Sequence, residues 1–136
     1  MRRVLAGGLV MAAVTLVALP SALGRSPTYV TYDCQHVKER PHSILFACGD
    51  GNFYVNHLRW FSWHRKKAFA RGVYHYNDCD PNCAEGKFHR IRGSLKLEFR
   101  RWCADQKKFV FKHAYTHYRR PHRGHSRESF GLQCPF

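Results

Sequence analysis

Apolar and polar residues alternate along two stretches in the second half of the chain. Within residues 94–100, Leu95, Leu97 and Phe99 lie at every second position, with polar or charged residues between them. Residues 109–116 repeat this alternation in a weaker form. A period of two is typical of a strand that buries one face. The pattern therefore predicts two half-buried strands, with the three apolar side chains of the first on the core side.

Shorter apolar or aromatic runs predict four more strands, and no segment after residue 24 has a helical period. The runs cover residues 43–48, 53–61, 68–76 and 129–134. Turn-forming Gly, Asn, Asp and Pro residues lie between many of them. Several short strands at this spacing predict an all-β domain, built as a small antiparallel sandwich or barrel and held by disulfides.

The start of the chain has the layout of a helical signal peptide. Arg2 and Arg3 precede an apolar run over residues 4–19, Pro20 ends the run, and residues 22–24 fit a small-residue cleavage site. The sixteen apolar positions fall short of the roughly 20 that a membrane-spanning helix needs. We therefore expect the first 24 residues to be a cleaved signal peptide, with a retained anchor as the alternative.

Cleavage there leaves residues 25–136 as a single secreted domain. An even number of cysteines in a secreted chain predicts three disulfides. A zinc site using Cys79 and Cys83 is the alternative, since that spacing occurs in zinc sites, but no second closely spaced cysteine pair follows. The six cysteines are Cys34, Cys48, Cys79, Cys83, Cys103 and Cys134.

The predicted strand order favours some of the 15 possible pairings over others. A returning last strand would bring Cys134 to Cys103, so we expect these two to be joined. If the strands over 53–61 and 68–76 form a hairpin, Cys48 lies at the same end of the sheet as Cys79 and Cys83. We therefore expect Cys48 to pair with one of those two, and the first cysteine of the domain to take the other.

Positive charge dominates the composition. The formal net charge is +14 for the whole chain and +12 without the two N-terminal arginines. Residues 119–128 read as a basic, His-rich loop. Such a surface attracts anions, whereas a merely solvated face is the plainer interpretation. The candidate anion-binding residues are Arg100, Arg101, Lys107, Lys108, Arg119, Arg120, Arg123 and Arg127.

Aromatic residues are the second candidate for a binding surface. Basic surfaces that also expose aromatic rings bind single-stranded nucleic acid and glycans, although aromatic residues more often fill the core of a small β domain. The aromatic residues that could form such a platform are Trp60, Trp63, Trp102, Tyr54, Tyr74, Tyr76 and Phe61. Trp60 lies within a predicted strand, and we expect it in the core. Trp63 and Trp102 lie near predicted turns, and we expect them at the surface.

Two segments could hold a metal, and both have a plainer interpretation. The acidic stretch 77–86 does not match a calcium-binding EF-hand loop, and its Asn, Asp, Pro and Gly residues are typical of a turn. His113 and His117 would lie about 13 Å apart on a strand. His122 and His125 could chelate weakly in a loop, but solvated histidines are the simpler reading. The sequence predicts neither a metal site nor a cofactor.

One combination of motifs resembles a known group of proteins. The motifs are Ala-Cys-Gly-Asp-Gly-Asn at 47–52, Leu-Arg-Trp-x-Ser-Trp at 58–63 and Asn-Asp-Cys-x-Pro-Asn-Cys-Ala at 77–84. They resemble small secreted actinobacterial proteins of uncharacterised function, over roughly residues 47–103. The Cys-Pro pair at 134–135 is similar to their C-terminus. The resemblance implies secretion and a small β domain, and it implies no catalytic residue.

These features favour a secreted, non-catalytic binding protein. The expected partner is anionic and lies outside the cell: a cell-wall polymer, a lipid headgroup or released nucleic acid. A small nuclease-like hydrolase that uses His with Glu or Asp is one alternative, with Glu85 and Glu98 among the candidate acids. A structural envelope protein is the other.

Overall fold

The computed structural model describes residues 26–135, and their regular structure is entirely β, which confirms the all-β prediction. The predicted signal peptide lies outside the described residues. Among residues 26–135, no helix is long and apolar enough to cross a membrane. The strands are β1 Thr28–Thr31, β2 Val37–Lys38, β3 Ile44–Leu45, β4 Phe53–Trp63, β5 Ala68–Asn77, β6 Phe88–Cys103, β7 Lys108–His122 and β8 His125–Gly131.

The strands form a curled sheet, shaped like half of a barrel. Its order is β2-β1-β7-β6-β5-β4-β3, and β8 pairs with β7 outside this path. Strands β4 to β8 follow one another as antiparallel hairpins. The prediction of an antiparallel sheet holds for every strand pair in the described residues except β1 and β7, which run parallel.

The core lies on the concave side of the sheet. Leu95 and Leu97 are buried there, as their alternation predicted. Phe99 was expected to join them, but its backbone is left-handed (φ 59°) and its ring is 58% exposed. The alternation therefore ends at Leu97. The other buried members of the core are Val30, Ile44, Val55, Leu58, Ala68, Ala70, Tyr74, Phe111, Ala114, Tyr118 and Leu132.

Three disulfides close the domain, and only one of the three expected pairings was right. The bonds are Cys34–Cys48, Cys79–Cys83 and Cys103–Cys134. Cys103 pairs with Cys134, as expected. Cys48 does not pair with Cys79 or Cys83, because the segment before it runs beside the end of β1. There Leu45 donates its backbone N–H to the carbonyl of Tyr32 at 2.8 Å, which brings Cys48 near Cys34.

Candidate functional site

Five residues in register form a row across the outer face of the sheet, the face opposite the core. Arg59 of β4 pairs with Arg71 of β5, which pairs with Ser94 of β6, then His117 of β7 and Arg127 of β8. Adjacent strands are about 4.8 Å apart, so this arginine row spans about 19 Å. Its three arginines and its histidine are exposed to solvent.

A second row lies two residues further along the strands and is mostly aromatic. This aromatic row contains Phe61, Phe69, Lys96 and Tyr115, the last three paired in register. The rings of Phe61 and Phe69 stack with centroids 6.2 Å apart, and Phe61 is 64% exposed. Because each strand residue advances about 3.3 Å, the two rows run side by side about 7 Å apart.

The two rows line one continuous groove. A depression of about 700 Å³ contains residues of both rows, and an adjoining one of about 780 Å³ shares Arg71, Ser94 and His117 with it. The second depression continues past the arginine row to Arg92 and Arg119. The outer face therefore carries a groove with basic residues along its length and aromatic rings on one side.

Acidic side chains do little to neutralise the groove. Glu98 and Glu128 are the only acidic residues on the strands of the described chain. Glu98 forms an ion pair with Lys96, with Oε2 and Nζ 3.1 Å apart, so it offsets the charge of that lysine. The arginines of the arginine row make no ion pair within 4 Å in residues 26–135.

A histidine further along the outer face has a lowered pKa. Burial lowers the pKa of His75, and the charges of Arg90 and His57 lower it further. His75 lies on β5, two residues beyond Val73 on the same face, and its ring stacks on Tyr54 with the centroids 4.6 Å apart.

The structure divides the eight predicted anion-binding residues between two ends of the sheet. At the β6–β7 turn, Arg100 stacks on Phe109 at 3.3 Å and donates to the Thr28 hydroxyl at 2.9 Å, so its guanidinium has a structural role. Arg127 belongs to the arginine row, and Arg119 lines the groove. The group at the turn is Arg100, Arg101, Lys107 and Lys108; the group near the β7–β8 hairpin is Arg119, Arg120, Arg123 and Arg127.

Sequence reasoning missed most of the groove. Arg59 and Arg71 stand apart from the charge clusters in the sequence, so composition gave no reason to single them out, and His117 was considered only as a metal ligand. Only the pairing register brings them together with Arg127. Two signals were available: the alternation along β6 placed Ser94 and Lys96 on the face opposite the core, and the aromatic-platform hypothesis included Phe61.

The tryptophan predictions met different outcomes. Trp63 was expected at the surface, but it packs edge-on against Phe111 and donates its ring N–H to the Thr28 carbonyl at 3.0 Å, so that prediction was wrong. Trp63 pairs in register with the buried Ala68, which puts it on the core face of the sheet. Trp102 is 53% exposed, at the β6–β7 end and away from the groove. Trp60 packs against the core.

Residues 119–128 are not a loop, because β7 and β8 extend to a tight turn at Arg123 and Gly124. His122 was expected in solvent, but it is only 6% exposed. Its Nδ1 lies 3.4 Å from Glu128 Oε2, which also accepts a hydrogen bond from the Tyr118 hydroxyl at 2.6 Å. This cluster is a mostly buried His–Glu pair, and both residues line a depression of about 350 Å³.

The acidic stretch 77–86 forms the β5–β6 turn, as predicted, and the Cys79–Cys83 bond lies within it. Groups of three or more potential metal ligands do not occur in the described part of the chain. Asp78 accepts hydrogen bonds from the Lys87 and Asp80 backbone and lies 2.7 Å from His89 Nε2. The His89 contact, followed by the two backbone bonds, lowers the pKa of Asp78 to about 2.

Replacing His89 by alanine should raise the pKa of Asp78 toward its ordinary value of 3.8, because the largest stabilising contact of the carboxylate is lost. A pKa lowered by folding stabilises the protein at pH values above about 4, and this contribution disappears as the pH falls toward 2. Carboxyl NMR titration of both proteins measures the shift. An unchanged Asp78 midpoint in the variant would contradict the assignment of His89 as the main cause.

No protein-family model, curated protein or solved structure matches this chain. The resemblance to small secreted actinobacterial proteins therefore stays a prediction, and the case for a function depends on the geometry of the groove.

Proposed function

We propose that the protein is a secreted, non-catalytic binding protein for an anionic polymer at or outside the cell surface. The observation that supports this most strongly is the arginine row, with three exposed arginines in one register across five strands. Three disulfides fit an oxidising compartment outside the cytoplasm. The groove is the proposed contact surface.

Arginine suits this role for physical reasons. The guanidinium is planar, is always charged and donates paired hydrogen bonds to phosphate or carboxylate groups. It is also less strongly hydrated than an ammonium group, so bringing it into contact with an anion costs less. A line of such groups matches a polymer whose negative charges repeat along its length, better than it matches a single small anion.

Removing two positive charges from the groove should weaken binding far more than removing two elsewhere. We expect Arg71→Ser with Arg127→Ser to lower affinity for an anionic polymer by at least tenfold at 0.15 M salt. Each lost contact with a single-stranded polyanion should also reduce the slope of log K against log salt by about 0.7. Elution from an anionic matrix and fluorescence titrations over a range of salt measure both effects.

The matched control is Lys66→Ser with Arg101→Ser, which removes the same charge from exposed positions outside the groove. The control should elute close to the unmodified protein. Equal losses of affinity in the two double variants would show that only bulk charge matters and would contradict the proposal.

The hydrolase alternative rests on the His122–Glu128 pair. A hydrolase of this kind would degrade RNA, DNA or wall glycan during incubation, and replacing His122 would abolish that activity. The binding function predicts that each polymer stays intact. An envelope protein with a purely structural role would instead be retained on none of these polymers once bulk charge is screened by salt.

A further inference from the structure

We infer that the polymer bound in the groove is single-stranded nucleic acid. This inference rests on the proposed function, and it is carried by the exposed rings that lie beside the line of arginines. The arginine row crosses β4 to β8, and the aromatic row, which also holds Lys96, runs parallel to it about 7 Å away across β4 to β7. A partner that fits both rows carries negative charges along one line and flat, stackable rings along the other.

The arginine row can bind phosphates. Arg59, Arg71 and Arg127 are exposed and make no ion pair within residues 26–135, so their guanidinium groups are available to a partner. Ser94 and His117 lie between them in the same register and add hydrogen-bonding groups. A phosphodiester backbone laid across the strands would meet one polar side chain at each strand.

The aromatic row can stack with bases. Phe61 exposes 64% of its surface, and the ring of the partly buried Phe69 stacks beside it with an interplanar angle of 26°, so Phe61 offers an exposed ring supported by a second one. The Arg71 guanidinium lies 5.7 Å from the Phe61 centroid, which adds a planar cation at the border of the two rows. Bases stack on such aromatic platforms whatever their sequence, because every base has a π face.

Other polyanions fit only one of the two lines. An acidic glycan carries its carboxylates on the sugar rings themselves, so its charges and rings do not separate. A polyol phosphate polymer or a lipid headgroup offers phosphate without rings to stack. Duplex nucleic acid has the right charge, but its base faces are already stacked inside the helix. Single strands alone present both phosphates and open base faces.

The experiment compares a thymidine 12-mer with an abasic 12-mer that has the same phosphates and no bases. Fluorescence anisotropy at 0.15 M salt should show at least tenfold tighter binding of the thymidine 12-mer, since stacking on an aromatic side chain contributes substantially per base. A uridine 12-mer should also bind, whereas a 12-base-pair duplex, polyphosphate, a polyuronate and anionic vesicles should bind no better than the abasic strand. Oligomers of increasing length should reach full affinity at a few nucleotides, because the arginine row spans about 19 Å.

Two variants show whether the aromatic row is responsible. Phe61→Ala with Phe69→Ala should remove the preference for the thymidine strand and leave the affinity for the abasic strand unchanged. Trp102→Ala is the matched control, because it removes an exposed ring outside the groove and should preserve the preference. Circular dichroism and thermal unfolding identify any variant that has lost its fold.

The outcomes separate this inference from the proposed function. Equal binding of thymidine and abasic strands, or tighter binding of the duplex or the polyuronate, overturns the inference and keeps the anion-binding groove. An unchanged preference in the double phenylalanine variant overturns it as well. If no polymer responds to Arg71→Ser with Arg127→Ser, the proposed function itself fails.

Discussion

Replacing Cys103 and Cys134 together by alanine should lower the free energy of unfolding by about 3–4 kcal/mol. This bond joins residues 31 positions apart, the widest separation of the three, so its loss frees the most conformational entropy in the unfolded chain. It also ties the end of β6 to the segment after β8. There Leu132 donates to the Lys112 carbonyl, and Gln133 accepts from the Thr31 hydroxyl, both at 2.8 Å.

The other two bonds supply an internal comparison, measured by denaturant unfolding under the same conditions. Their sequence separations are 14 and 4, so we expect losses of about 3 kcal/mol for the Cys34–Cys48 bond and about 2 kcal/mol for the Cys79–Cys83 bond. The same order should appear in the thermal unfolding temperatures. If removing the Cys79–Cys83 bond costs the most, loop closure does not explain how these disulfides stabilise the fold.

Glu128→Ala should cost about 2–3 kcal/mol, the second large effect. The substitution leaves the buried Tyr118 hydroxyl without its acceptor and His122 Nδ1 without its neighbouring carboxylate. Buried polar groups that lose their partner cost much more than an average hydrogen bond contributes. Burial raises the pKa of Tyr118, and the Glu128 contact raises it further, which identifies the hydroxyl as the donor at neutral pH.

Glu128→Gln is the matched variant, because its amide oxygen can still accept from Tyr118. It should lose roughly 1 kcal/mol, within the range of one weakened hydrogen bond. Chemical unfolding of both variants at pH 7 gives the comparison. If Glu128→Ala were as stable as the unmodified protein, the carboxylate would not stabilise the β7–β8 hairpin.

The sequence predicts those strands that show a period of two or an aromatic run. The alternation of Leu95 and Leu97 identified β6, and the aromatic runs located β4 and β5. Strands β1 and β2 were missed, because each is too short to show a period and β1 is positioned by a parallel pairing with β7. The error in placing Cys34 followed from that omission.

The groove could not be predicted, because it depends on irregularities within a strand. The β4–β5 register shifts between Asn56 and Arg59, where His57 has a positive φ of 51°. A bulge of this kind exchanges the faces of the residues that follow it. Leu58 is consequently buried, while Arg59 and Phe61 reach the outer face. A regular alternation counted from Val55 would have placed Leu58 on the outer face and Arg59 and Phe61 on the core face.

The most direct test of the central claim is an NMR titration of the ¹⁵N-labelled protein with the thymidine 12-mer at 0.15 M salt. The account predicts that the largest amide shifts fall on the strand segments around Arg59, Arg71, Ser94, His117 and Arg127. It also predicts that Arg71→Ser with Arg127→Ser abolishes those shifts. Shifts concentrated at the β6–β7 turn, or spread evenly over every basic residue, would contradict it.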